Sequence, residues 1–412
     1  MSKFAVPIFL LFVCTIAIGQ DSKEKPREGE RKVWDPPLNT EEKGFLDTVD
    51  DIGRCVTASM RRDRIVNLSN LARGYKSSFR KELLRYAFDK VSERLRTEVE
   101  YEVRKACPEA ISQIAAADAS GEIKGLAVEE LLKALKTDGK NVVRAACAGY
   151  LAELGEKGVG TALIEALKND RWSIVRAACA DAISKLAVTE AIPALREALE
   201  NDRYSTVRKA AAIALTNFKD KDASKLFIKG LKDPFSSVRI ACAKALETMP
   251  AKDALLPLSE LTKDKKDGVR DAAVRALGKL KEPGAIKVLE EVISQDESES
   301  VRQSVIDALF ETGTKKAIDV IASRGLADPE FQCRFAAITA LCKLKDDRGI
   351  SALVESLNKE QVVFRRIACI ELAKELQIND PRVLEALEKV SQEDSSQDVR
   401  KKAKEAHKNL SN

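Results

Sequence analysis

An arginine returns down this chain on a near-constant period, and that period limits the possible folds more than any other feature. The series is Arg104, Arg144, Arg176, Arg208, Arg239, Arg270, Arg302, Arg334, Arg366 and Arg400; from Arg144 to Arg366 every step is 31 or 32 residues. An acid stands six positions before each one: Glu98, Asp138, Asp170, Asp202, Asp233, Asp264, Asp296, Asp328, Glu360 and Asp394. Ten matches at one spacing exclude coincidence, and a period of this length marks a solenoid.

Each period holds two helical patterns. In the first, apolar residues sit sixteen, thirteen and nine positions before the arginine, as in Ile192/Leu195/Leu199, Ile286/Leu289/Ile293 and Ile350/Leu353/Leu357. Spacings of three and four place each trio on one helix face. A short turn such as NDRYS or KDPFSS follows. The second helix opens on the arginine and carries small residues, for example Ala178, Cys179 and Ala182. One helix pair cannot bury both stripes alone, but stacking on like neighbours buries them in a continuous core.

The acid and the arginine then have a structural task. The acid lies in the turn, where its carboxylate can accept from N–H groups opening the second helix. The arginine can reach the acid of its own or an adjacent copy. This predicts a row of bridged turns through Asp138/Arg144, Asp170/Arg176, Asp202/Arg208, Asp233/Arg239, Asp264/Arg270, Asp296/Arg302 and Asp328/Arg334.

The stretches DRWSIVRAA (Asp170 to Ala178) and DKKDGVRDAA (Asp264 to Ala273) resemble the HEAT repeat family, in particular the short HEAT-like units of phycobilisome lyases. The resemblance covers about Glu98 to Asn412. It implies an all-α fold: an α-solenoid superhelix of about nine to ten HEAT-like helix pairs with an irregular helical N-terminal cap. The cap is placed at 43–97, because that segment looks helical but departs from the motif, and terminal units differ where one face meets water. The array runs over 98–412.

Residues 1–19 read as a signal peptide. Lys3 is followed by an apolar run to Ile18, and Ala17 and Gly19 stand three residues and one residue before a cleavage point. The run is short for a membrane span. The expectation is export by a Sec-type signal, to a periplasmic or extracellular place, with no membrane span in the mature chain; a retained N-terminal anchor is the alternative. Residues 20–42 are charged and proline-containing and cannot bury enough apolar surface to fold alone. They read as a flexible linker.

Charged residues make up 33% of the chain, yet the formal net charge is only +5, which describes a solvated surface rather than a strongly basic nucleic-acid binder. The single histidine, His407, rules out a multi-histidine metal site and argues against a histidine-based triad. Neither a cofactor nor a metal is expected. Of the nine cysteines, Cys107, Cys147, Cys179, Cys242 and Cys369 stand three residues after a repeat arginine, in the small-residue slot. Stacked helices lie about 8–10 Å apart, whereas bridged Cα atoms lie within about 7 Å. These cysteines read as buried free thiols. Cys55 has no assignment.

In HEAT-like stacks the second helix lines the concave side, so the resemblance turns the positions one and five after each arginine toward a partner. Lys209, Lys244 and Arg275 form a modest basic patch there, and Ile240, Phe335 and Ile367 read as apolar anchors. The mixture of charge and apolar surface suits a protein or peptide better than a nucleic acid, which asks for a basic groove with stacking aromatics. The leading reading is an exported, monomeric, non-catalytic scaffold for protein–protein interaction. The alternatives are a bilin-lyase-like or other small-ligand-binding HEAT protein and a HEAT-like nucleic-acid binder. HEAT-like iron hydroxylases carry His-Glu pairs, and this sequence has none.

Overall fold

The computed structural model describes residues 37–74 and 79–411. The expected signal peptide and most of the expected linker lie outside the described residues. Two compact units divide the chain, Met1–Gly44 and Phe45–Asn412. In the first, Asn39 and Glu42 cap a helix reciprocally: each side chain accepts the other's backbone N–H, at 2.8 and 3.0 Å. That helix begins at Thr40, three residues inside the expected linker.

Every regular element among the described residues is helical, and first and second helices alternate along the chain. From the N-terminus these are α1 (Thr40–Arg54) and α2 (Ala58–Gly74), α3 (Lys81–Thr97) and α4 (Tyr101–Ala117), α5 (Glu122–Thr137) and α6 (Asn141–Leu154), α7 (Gly160–Asn169) and α8 (Ser173–Leu186), and α9 (Ile192–Asn201) and α10 (Ser205–Asn217). They continue with α11 (Ser224–Gly230) and α12 (Ser236–Thr248), α13 (Leu255–Leu261) and α14 (Asp267–Leu280), and α15 (Pro283–Gln295) and α16 (Glu299–Thr312). The last are α17 (Lys315–Val320), extended by a π turn over Ile321–Gly325, with α18 (Phe331–Lys343), then α19 (Asp347–Lys359) with α20 (Val363–Glu375), and α21 (Pro381–Glu393) with α22 (Gln397–Ser411). The stack is an all-α solenoid. Segment 43–97, expected as an irregular cap, supplies α1, α2 and α3, so the boundary placed at Glu98 falls inside the second pair.

Second helices stack on second helices, and first helices pack against them and touch one another more sparingly. The predicted stripes explain this. Leu195 and Leu199, Leu289 and Ile293, and Leu353 and Leu357 are all buried. A second helix meets three neighbours at once: α10 packs on α8, α9 and α12. It buries Val207, Ala210, Ala211, Ala212, Ala214 and Leu215, because only small side chains let helices approach on several sides. Leu215 is fully buried, and truncating such a leucine to alanine costs about 2–5 kcal/mol.

The pairs join through a repeated left-handed residue. Gly155, Ala187, Lys219, Lys281, Gly313, Lys345 and Gln377 have φ between 52 and 74°. Beyond such residues the chain closes on the helix it has left: Val188 N–H donates to Ile183 C=O at 3.1 Å, and Asp346 N–H to Leu341 C=O at 2.9 Å. At Gly349 the next first helix crosses so closely that an added Cβ would lie 2.6 Å from Leu341 Cβ and 2.8 Å from the Cys342 nitrogen.

Candidate functional site: the turn ladder and the second-helix face

The periodic acids and arginines meet along the turns. Arg176 Nε and Nη2 donate to both carboxylate oxygens of Asp202, in the next pair, at 2.7 and 2.9 Å. Its Nη1 donates to the backbone carbonyl of Asp170, in its own turn, at 2.7 Å. Asp170 in turn accepts the N–H of Trp172, the residue just before α8, at 2.9 Å. One arginine thus ties two successive turns, and one aspartate also holds the turn ahead of a helix. The same fork joins Arg104 to Asp138, Arg144 to Asp170, Arg208 to Asp233, Arg270 to Asp296 and Arg302 to Asp328, with shortest contacts of 2.6–2.7 Å. Arg239 reaches Asp264 at 2.8 Å and Arg366 reaches Asp394 at 2.7 Å. Arg334 stands 3.7 Å from Glu360.

Burial pushes the carboxyls of Asp170, Asp328 and Asp394 up, but their arginines and the backbone N–H groups of the same turns outweigh it and hold all three below the usual carboxylate range. In Arg176 and Arg302 the side-chain hydrogen bond to the aspartate outweighs burial and raises the guanidinium.

One rung was not legible in the periodic series. Arg61 grips Glu98 at 2.7 and 3.0 Å and donates to the carbonyl of Cys55, six residues upstream. Arg61 is thus a ladder arginine with cysteine in the acid's place, and Cys55 is a half-buried free thiol there. On the first helices, Arg348 bridges to Asp319 at 2.9 Å and Arg382 to Asp347 at 2.5 Å.

On the second-helix face, Lys209, Lys244 and Arg275 are exposed. Lys244 and Arg275 line one open hollow of about 580 Å³ with Glu247, Thr248, Asp271 and Lys279. Arg275 is held by Asp271 at 3.1 Å, and Lys279 by Glu311 at 2.6 Å. The basic patch is thus partly neutralised by its own acids. Ile240, Phe335 and Ile367 do not stand out as free anchors. All three are half-buried, and Phe335 and Ile367 pack against the C-terminal core, Phe335 stacked on Phe331 at 5.6 Å. The small residues around them bring the neighbouring helix within reach. Large exposed rings occur instead in the turns, at Trp172, Tyr204 and Phe235.

Cys107, Cys147, Cys179, Cys242, Cys333, Cys342 and Cys369 are buried free thiols. Burial pushes Cys242, Cys333 and Cys369 up to about 12 and Cys342 up to about 11. Thiols so raised are packing groups rather than poised nucleophiles. Among the described residues no helix is long and apolar enough to cross a membrane, and no group of three or more histidine, cysteine or acidic side chains is placed to hold a metal.

Importin beta is similar in fold: 13% identity and a TM-score of 0.60, over 89% of this chain and 57% of importin beta. Kap121p is also similar, at 14% identity and a TM-score of 0.55, over 90% of this chain and 45% of Kap121p. This chain therefore spans about half the length of those two proteins. The CpcE–CpcF complex of phycocyanin lyase from Nostoc sp. matches at 24% identity over 60% of this chain and 94% of that one, with a TM-score of 0.36. No curated protein sequence matches. The model of HEAT repeats matches residues 88–184, 128–216, 224–310, 258–338 and 318–408, and the chain belongs to the HEAT repeat family.

Proposed function

We propose that this protein is an exported, non-catalytic scaffold that binds another protein through the face of its second helices. The hollow between α12 and α14 carries the reading. Lys244 and Arg275 reach it from successive helices, beside Glu247 and Asp271. Paired charges of both signs on a rigid wall suit a polypeptide, which offers both signs itself. A phosphate backbone would meet the two acids as well as the bases. Kap121p, a protein of the same fold, has been solved bound to Nup53p and to Pho4p. Export rests on the apolar run and small residues before Gln20, and a monomer on the mutual burial of the pairs within one chain.

A photo-crosslinking residue at Lys244 tests the reading, with Lys225 on the exposed side of α11 as the control. In extracytoplasmic extract, position 244 should capture a discrete protein that the same position in an R275E/K279E background does not, and position 225 should not. Equal capture at both positions would remove the second-helix face from consideration.

A further inference from the structure

The turns carry a surface that the second-helix reading leaves unused. In three consecutive turns the residue two after the ladder aspartate is aromatic: Trp172, Tyr204 and Phe235, which are 46%, 40% and 53% exposed. A single exposed ring is ordinary. Three in register along one edge form a stripe, which is the kind of surface that marks an interaction site. The rings are also held. Each backbone N–H donates to its aspartate at 2.9 Å. The ladder arginine of the preceding pair lies against the ring, Arg176 at 5.6 Å from the Tyr204 centroid and Arg208 at 5.8 Å from that of Phe235. Rings fixed in this way lose little freedom on binding.

The exposed charged side chains beside the rings are basic. Arg171 and Arg203 flank the rings of Trp172 and Tyr204, at 5.6 and 4.7 Å. Lys140 is exposed one turn before, and Lys265 and Lys266 one turn after. The aspartates of these turns are already gripped by arginines, and Asp267 accepts the N–H of Gly268 at 2.8 Å. In the next two turns the exposed charges are Glu297 and Glu330. A basic aromatic stripe that ends against acids is complementary to an acidic partner and fixes where that partner must stop.

The spacing selects the partner's conformation. Stacked helices lie about 8–10 Å apart, so the rings recur on roughly that interval. A polyproline II helix advances about 9.3 Å per three-residue turn, which brings every third residue to the next ring. A β-strand returns to the same face every two residues, about 6.4–6.8 Å, which is too short a step; it also needs unpaired backbone groups to bind, and here the N–H groups of the three ring residues are taken by the aspartates. Polyproline II needs none, and proline-rich segments dock on aromatic-lined surfaces.

We propose that the turn edge from Lys140 to Lys266 docks an acidic, proline-rich segment of a partner protein in the polyproline II conformation. The inference rests on the reading of the chain as a protein-binding scaffold but assigns a different face. The test is fluorescence anisotropy of labelled (Pro-Pro-Glu)4 with the full chain. Binding is expected, weakened about tenfold or more by W172A/Y204A. It should also fall in R171E/R203E, which keeps all three rings, and (Pro-Pro-Lys)4 should not bind. Circular dichroism reports whether each variant keeps its helices. Absence of (Pro-Pro-Glu)4 binding, or binding untouched in both variants, would overturn the proposal. So would a twelve-residue oligothymidylate that binds where the acidic peptide does not, since the stripe would then be a nucleic-acid platform. A positive crosslink at Lys244 beside a negative peptide result removes only this edge and leaves the scaffold reading standing.

Discussion

Arg302 and Arg334 hold the same position in successive helix pairs, yet only one of them is locked. Arg302 meets both oxygens of Asp328 at 2.7 and 3.0 Å, and the two side chains are 9% and 2% exposed. Arg334 comes no nearer than 3.7 Å to Glu360, with exposures of 30% and 13%. The extra methylene of glutamate is not the cause, because Glu98 accepts the full fork of Arg61. The cause is a rival. Arg365, next to the ladder arginine Arg366, takes Glu360 Oε1 at 3.2 Å and lies 4.9 Å from the ring of Phe331. A rung therefore needs a matched acid that no second cation has taken.

The largest contrast should come from removing the acids. Arg176 and Asp202 have side chains only 9% and 10% exposed. Asp202→Ala leaves a buried guanidinium without its counter-charge and Tyr204 N–H without its acceptor, which costs about 3–5 kcal/mol. Glu360→Ala removes a looser pair and should cost under about 1 kcal/mol. Because a repeat stack opens locally, native-state hydrogen exchange is the suitable measure, read at α8 and α10 for the first variant and at α18 and α20 for the second.

Acid should act on the tight rungs in the same direction. The carboxyls of Asp170, Asp328 and Asp394 are held below their ordinary values. An unfolded aspartate titrates at about 3.9. The stability these groups add is complete above that pH and is lost as the pH falls through their lower folded values. Urea unfolding should be nearly constant from about pH 5 to 7 and weaken below about pH 4, and Asp328→Asn should flatten the acid limb. The smallest effect is expected from Arg365→Gln. Freeing Glu360 should let Arg334 close its fork and slow exchange in α18 and α20, by about 0.5 kcal/mol.

Much of the fold was legible because stacking makes each pair repeat the same demands. The acid at one fixed distance before the arginine, the apolar trio of the first helix and the small residues of the second all answer to identical neighbours. The rung at Arg61 was hidden because Cys55 stands where an acid was sought; only the carbonyl of that residue is used there. The same backbone contact is made at 2.7 Å by Arg104 to Glu98, and a carbonyl leaves no mark on residue type. Phe335 and Ile367 are half-buried where freely exposed side chains were expected, because helical position gives direction, not the distance to the next helix. The rings at Trp172, Tyr204 and Phe235 were in plain view in DRW, DRY and DPF. A period search rewards what recurs in every copy and passes over what three copies alone share.

The turn ladder couples successive pairs, and two double-mutant cycles measure that coupling. Arg176→Gln, Asp202→Asn and their combination give one coupling energy; Arg334→Gln, Glu360→Gln and their combination give the other. A coupling of about 2 kcal/mol or more is expected for the first and about 0.5 kcal/mol or less for the second. Couplings of equal size, or a first cycle that sums to zero, would mean that the rungs do not tie the stack together.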